Sequence, residues 1–399
     1  MTYLLLLAYA IFLSLLGTEY NSSSLPDIAL FFNVSMPATQ ATYYIFMSFF
    51  AISPLVYAPF SDFMGRKKIY IYSTSIFAVS CFLTMTSTSI YQVYIYRAIQ
   101  GFTNGVVFVT VCGAMVDLSK KEKMLVRFYS YYEIVYGLAL ILMPLLGGYI
   151  QNYYGWKANY FVMGLFSVSI VILYALFFKE TNTRHNYKIS IKKCFHSHIR
   201  LLNNKRYIFL IFTGSSLLVF FSIFYSFGPF IVETVLHGSA MKFGIISFWS
   251  GLIYMLGALL NMYLIKRSKI KSICNLGYII IIISIIGLII LYLTHRLNLN
   301  NFAYSIYGIQ FGMGFIYANI HTLVVECYPD VPAIANSQLM FVLSVSTVIM
   351  VLMLSSISTK PSLYIFVISY SIIAIVTLSF YIVGINCDDK TISVHKKNM

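Results

Sequence analysis

Apolar runs close to the length needed to cross a bilayer, about 20 residues at 1.5 Å each, recur along the whole sequence, and short polar turns separate them. We count about twelve such runs. Backbone groups inside hydrocarbon have no water to bond, so spanning segments must be helices or the strands of a closed barrel. Barrel strands would show short stretches of alternating hydrophobicity; continuous runs select helices. The composition agrees, with 59% hydrophobic and 10% charged residues where soluble domains carry about 25% charged residues. An all-α membrane protein is expected.

The formal charge of +15 would point to nucleic acid in a soluble protein, but topology accounts for it. Of 27 Lys and Arg, 22 fall in loops or the tail that alternate onto one side, and only Lys157, Lys242, Arg296 and Lys360 fall in those on the other. By the positive-inside rule both termini and the basic loops are then cytoplasmic, and no nucleic-acid partner is implied. The remaining base, Arg97, lies inside the expected hydrocarbon.

The longest polar connection, 179–206, carries eight bases and one acid and separates six spans from six. The expected organisation is a six-helix bundle over 1–178, a basic cytoplasmic linker over 179–206, a second bundle over 207–385 and a cytoplasmic tail over 386–399. The apolar start, Leu4 to Leu16, lacks a basic leader and a cleavage site, and reads as a retained first span reaching Asn21. Beyond it, Ser22, Ser23, Ser24 and Pro26 disturb the helix. Two echoes suggest repeated halves. Gly257 and Asn261 ahead of Lys266 and Arg267 echo the end of the second span, and Ile306 to Gln310 echoes Ile95 to Gln100, with Gly308 in the place of Arg97.

Six cysteines without C-x-x-C spacing suggest neither a disulfide framework nor a zinc site. His185, His196 and His198 lie among bases that oppose cation binding. No metal and no cofactor is expected, no catalytic constellation is visible, and no nucleotide-binding G-x-x-x-x-G-K-[ST] is present.

Four places carry chemistry. The second span stops at A-P-F-S-D-F-M-G-R-K-K, Ala58 to Lys68, where Asp62, Gly65, Arg66 and Lys67 form a turn whose acid and bases can pair in one state and release in another. Arg97 costs several kcal/mol in hydrocarbon unless acids, carbonyls or water surround it, and Gln100 and Gly101 follow it at helical spacing. Gly137, Pro144, Gly147 and Gly148 would permit bending and close approach in the fifth span, or mark an ordinary packing seam. Glu19 is a carboxylate at the end of an apolar span, a proton carrier if it lies in the membrane and a headgroup-region acid if it does not. Glu133, Asn319 and His321 are further cavity candidates, and His321 reads equally as a core histidine.

These stretches resemble the major facilitator superfamily. Ala58 to Lys67 resembles its loop G-x-x-x-D-x-x-G-R-[RK], with Ala58 for the first Gly and Phe63 for the usual base. Arg97, Gln100 and Gly101 resemble its fourth-helix R-x-x-Q-G. Gly137 to Gly148 resembles the fifth-helix motif of drug/proton antiporters. Gly17 to Ala29 is similar to the first-helix motif of the Bcr/CflA drug-resistance branch, with Glu19 for Asp and Asn21, Ser22, Ser23 for Tyr-Leu-Pro. The resemblance implies twelve transmembrane helices in two six-helix pseudo-repeat bundles, and proton-coupled efflux of drugs or amphiphilic small molecules by alternating access. Glu19 and Arg97 would couple protons, and the 62–67 turn would gate. It implies a monomer in the bacterial cytoplasmic (inner) membrane whose partners are a small-molecule substrate, protons and lipid. Export of an endogenous metabolite such as a siderophore, and proton-coupled nutrient uptake, stay open. A membrane receptor or enzyme is the different-class alternative, and it does not account for two matching halves.

Overall fold

The computed structural model describes residues 2–17, 19–118, 122–182, 200–328, 332–357 and 360–387; at Asp62 and Glu133, among others, it describes the backbone alone. The centre of the expected linker, 183–199, and the tail from 388 lie outside the described residues. The described residues form twelve α-helices and no strand: α1 Thr2–Ser14, α2 Leu25–Phe32, α3 Met36–Met64, α4 Arg66–Met85, α5 Ile90–Leu118, α6 Glu122–Phe177, α7 Lys205–Phe230, α8 Ala240–Leu264, α9 Ile270–Leu293, α10 Leu299–Glu326, α11 Pro332–Ile357 and α12 Leu363–Asn386. Among them seven are long and apolar enough to cross a membrane. One, Ile134–Phe177, runs for 44 residues, about twice what a bilayer needs. Gly155, at φ 77° and ψ 174°, breaks it into the expected fifth and sixth spans. An L side chain rarely adopts such a φ, which is what a glycine supplies here.

By their contacts the residues divide into two compact units. The first holds 1–188, 225–248 and 355–361, and the second 189–224, 249–354 and 362–399. In the first unit α5 packs along α3 and α4, and α6 along α1 and α4. Its core includes Phe46, Tyr70, Phe77, Cys81, Val111, Met143, Tyr160 and Tyr174. In the second unit α9 packs along α10 and, less extensively, α12. One face of α9 stays bare: Ile279, Ile283, Ile286 and Ile290 are exposed, at the helical spacing of a single stripe, as a lipid-facing helix requires.

The first span departs from expectation. It does not end at Asn21 but continues as a broken helix: α1, a 3-10 turn at Leu15–Gly17, a non-helical stretch, a second 3-10 turn at Ser22–Ser24, then α2. The sequence explains the break. Ser22 Oγ donates to the Glu19 carbonyl at 2.7 Å, a local bond that competes with helix continuation, and Pro26 sits in the first turn of α2, where its missing N–H costs nothing. Asn33 closes α2 in the left-handed conformation (φ 51°), its N–H reaching the Ala29 and Leu30 carbonyls. Irregular backbone at membrane depth is tolerated only when protein covers it. Residues 20–25 are accordingly all at most 2% exposed.

Candidate functional site

Arg97 lies in the interior of α5 and is 2% exposed. Its guanidinium donates from Nη2 to the Gly17 carbonyl at 2.7 Å, from Nε to the Thr42 carbonyl at 3.1 Å and from Nη1 to Gln100 Oε1 at 3.0 Å. The Phe46 ring covers its face, with the centroid 4.3 Å away. Bonds to a charged group contribute about 1.5–3 kcal/mol each, and a desolvated cation–π contact about 2 kcal/mol, so the burial cost is offset by dipoles and a ring. Gln100 Nε2 donates on to Thr84 Oγ1 at 3.0 Å, and Thr84 Oγ1 to the Ser80 carbonyl at 2.7 Å. Arg97 therefore ties α5 to α3, α4 and the end of the first helix segment. Two glycines make room for it. A Cβ at Gly101 would collide with the Phe46 carbonyl, and one at Gly17 with the Phe46 ring.

Glu19 lies two residues beyond Gly17, in the unwound stretch, and is buried, at 9% exposed. The stretch is held against α6. Asn21 Nδ2 donates to Tyr160 Oη at 2.8 Å, and Asn159 Nδ2 to Ser24 Oγ at 2.7 Å and to the Gly147 carbonyl at 3.2 Å. Gln151 donates to the Asp27 carboxylate. Several buried acceptors here, Asn21 Oδ1, Gln151 Oε1 and Asn159 Oδ1, have no hydrogen-bond partner among the described residues. Buried polar atoms of this kind are rare and mark places where water or a ligand completes the bonding.

The fifth-span motif resolves into separate roles. Gly147 abuts the Tyr20 carbonyl, so the unwound stretch can lie against α6 only because no Cβ stands there. Gly148 faces the other way, its would-be Cβ 2.6 Å from the Ala240 carbonyl and 3.0 Å from the Gly244 Cα, while Pro144 presents its carbonyl to Gly244. Gly137 has nothing within 4 Å of such a Cβ among the described residues, and it takes no part in that seam.

The turn between α3 and α4 has Gly65 at φ 94°. Arg66 Nε contacts Asp117 Oδ2 at 3.3 Å, and Arg66 Nη1 donates to Ser61 Oγ at 2.9 Å. The Glu180 carboxylate accepts from the backbone N–H of Arg66 at 2.9 Å and of Lys67 at 3.1 Å. It thus caps α4 at the positive end of its dipole. Lys67 Nζ donates to the Ala175 carbonyl at 2.8 Å, and Thr181 Oγ1 to Asp117 Oδ2 at 3.2 Å. All these partners belong to the first unit. The side chain of Asp62, and that of Glu133 in α6, lie outside the described residues.

Sequence reasoning did not assign Asp117 and Glu180 to the turn. The signal was present, since both acids stand at span ends on the side of the 66–68 bases under the expected topology. Tyr160, Asn159 and Thr42 could not be found that way, because their proximity exists only in the fold. In the second unit Asn319 Nδ2 donates to Asn261 Oδ1 and to the Phe315 carbonyl, both at 2.8 Å. His321 is half-buried.

A family model described as Major Facilitator Superfamily matches residues 7–351. A bicyclomycin resistance protein homolog of Haemophilus influenzae is 29% identical over 171 residues, 43% of this chain and 42% of the relative. An uncharacterized transporter of Rickettsia bellii is 26% identical over 276 residues, 67% of this chain and 65% of the relative. Tetracycline resistance protein, class H, of Pasteurella multocida is 32% identical over 150 residues, 36% of each chain. The chain thus spans 42% and 65% of the length of the first two relatives. Among solved structures, an inward-facing, occupied bacterial homolog of the human lysosomal transporter Spinster aligns with a TM-score of 0.74 at 14% identity, covering 96% of this chain and 97% of that one. A D-xylose-proton symporter aligns at 0.71 and 15% identity, covering 95% and 97%. At such identity the likeness is one of fold. With the family model running over most of its length, and with helices alone among its described residues, the chain belongs to the Major Facilitator Superfamily, a family of transporters and not of enzymes.

Proposed function

We propose that the protein is a secondary active transporter of the cytoplasmic membrane that exports drug-like or amphiphilic small molecules in exchange for protons. The observation that carries this reading is the break in the first helix. It holds Glu19 in buried, unwound backbone two residues from a carbonyl that the fixed charge of Arg97 binds. Discontinuous helices at membrane depth are where transporters place substrate and coupling-ion sites. A carboxylate there can gain and lose a proton, and the Arg97 contact links that stretch mechanically to α3, α4 and α5. The resistance proteins among the relatives favour export over uptake. A gradient of 100 mV supplies about 2.3 kcal/mol per charge, about fiftyfold accumulation.

In this reading the turn at 62–67 biases the access states from within its own unit, through Asp117 and Glu180. Both termini and the 179–206 connection are cytoplasmic. The decisive test uses proteoliposomes loaded at acidic pH and diluted into alkaline buffer. A permeant cationic dye should accumulate inside as protons leave, and Glu19→Gln should bind the dye but not concentrate it. Accumulation only under the reversed gradient would make the protein a symporter, and full accumulation by Glu19→Gln would remove Glu19 from coupling.

A further inference from the structure

Between the first turns of α9 and the last turns of α12, the second unit carries a groove of about 360 Å³. That volume is within the range of small-molecule sites, about 300–1,000 Å³. Its mouth is polar and basic. Lys271 Nζ rests 3.0 Å from Asn386 Oδ1, a neutral acceptor. Tyr381 Oη donates to the Lys271 carbonyl at 3.2 Å and to Asn275 Oδ1 at 3.1 Å, which fixes this end of the groove. Lys266, Arg267 and Lys269 are exposed in the turn just before it. No Asp or Glu occurs between Glu233 and Glu326, so the α9 side of the mouth carries bases alone; on the α12 side Asp388 and Asp389 follow Asn386 in sequence and lie outside the described residues. α9 starts at Ile270 without a side-chain cap from Lys269, which leaves the positive end of its dipole facing the same mouth.

The floor is apolar. Ile282, Leu378, Ile382 and Ile385 line it, and it continues onto the bare stripe of α9 through Ile279. A soluble anion would meet the basic mouth but gain nothing from that floor. A neutral lipid would gain the floor but not the charge. Basic pockets between transmembrane helices are suited to anionic headgroups.

We propose that this groove binds an anionic phospholipid, with its phosphate at Lys271 and the Asn386 amide and one acyl chain along Ile282, Leu378 and Ile385. The site is independent of the substrate pathway and of the direction of transport. It is tested on the delipidated full-length protein in detergent, offered an equimolar mixture of phosphatidylglycerol and phosphatidylcholine, with the retained lipid read by native mass spectrometry. Phosphatidylglycerol should be retained over phosphatidylcholine by about tenfold or more, a difference of about 1.4 kcal/mol. Lys271→Ala should erase the preference and Lys271→Arg keep it. Lys266→Ala, a base outside the groove, should keep it too, whereas Ile282→Trp should lower retention of both lipids by filling the floor. Lys271 is exposed, so its variants should melt as the parent does in phosphatidylcholine. Equal retention of the two lipids, an undiminished preference in Lys271→Ala, or an equal loss in Lys266→Ala, which marks diffuse surface charge, would overturn the site. Displacement of the lipid by glycerol phosphate alone would overturn it as well, because a free phosphate would then suffice.

Discussion

Ile95-Tyr96-Arg97-Ala98-Ile99-Gln100 in α5 and the one-residue-shorter Ile306-Tyr307-Gly308-Ile309-Gln310 in α10 share Ile-Tyr and Ile-Gln, yet the two units use them differently. In the first unit Gln100 accepts from Arg97 and donates to the Thr84 hydroxyl, which donates on to the Ser80 carbonyl. In the second, Gly308 follows the shared Ile-Tyr pair as Arg97 does in the first, its would-be Cβ colliding with Ser284, and Gln310 Oε1 is buried without a hydrogen-bond partner among the described residues. Close helix crossings persist in both. Gly101 lies against the Phe46 carbonyl in one, and Gly257 against Phe311 and Gly314 in the other. Duplicated halves can therefore keep the packing that any bundle needs, small residues at crossings, while only one acquires the fixed charge. Where the first unit bonds a guanidinium, the second bonds two neutral amides, Asn261 and Asn319.

The harshest way to break this contrast is to give the second unit a charge. Gly308→Arg would force a guanidinium at a half-buried position against the Ser284 side chain, at a cost of several kcal/mol per ion; no folded, monodisperse protein should be recovered in detergent. Next is removal of the charge from the first unit. Arg97→Leu takes the donor from the Gly17 carbonyl and from Gln100 Oε1 at about 1–3 kcal/mol each, so the thermal midpoint should fall and gradient-driven accumulation should drop to the level of empty liposomes. Arg97→Lys, which cannot reach all three acceptors, should fold but transport poorly. Wild-type accumulation by Arg97→Leu would reduce the network to packing.

The neutral pair should behave differently. Asn319→Leu takes the donor from Asn261 Oδ1 and should cost about 1–3 kcal/mol, Asn261→Leu should cost less because Asn319 keeps its bond to the Phe315 carbonyl, and the double variant should cost less than the sum. Additive losses in a thermal double-mutant cycle would show that the amides do not act together. The smallest effect belongs to the exposed turn. Glu180→Gln weakens a carboxylate cap worth about 0.3–1 kcal/mol and should slow turnover at saturating substrate while leaving substrate affinity unchanged. An affinity change without a rate change would argue against a role in switching.

Much of this was legible in the sequence. Span number, the membrane-exit turn and the buried charge at Arg97 follow from hydropathy and the cost of charge in hydrocarbon, which act residue by residue. The course of the first span was legible only in part. Ser22, Ser23, Ser24 and Pro26 announced a disturbance, but the chain resumes as α2 because Tyr160, Asn159 and Gly147 of α6 cover the break. Those contacts join residues more than a hundred positions apart, and no local pattern encodes them. The split within the fifth-span motif was likewise hidden: spacing treats Gly137, Gly147 and Gly148 alike, and only the neighbours each would meet set them apart.

The sequence by itself determined that this chain is helical and spans a membrane, and that one base lies within it, because the bilayer imposes length, apolarity and hydrogen-bond closure on each segment separately. The tertiary structure decided what surrounds that base, how the unwound stretch holding Glu19 is kept from lipid, and that Asp117 and Glu180 are what the 62–67 turn engages. These are pairings between distant segments, and their energies depend on distances and on the exclusion of water, quantities that exist only once the helices have packed.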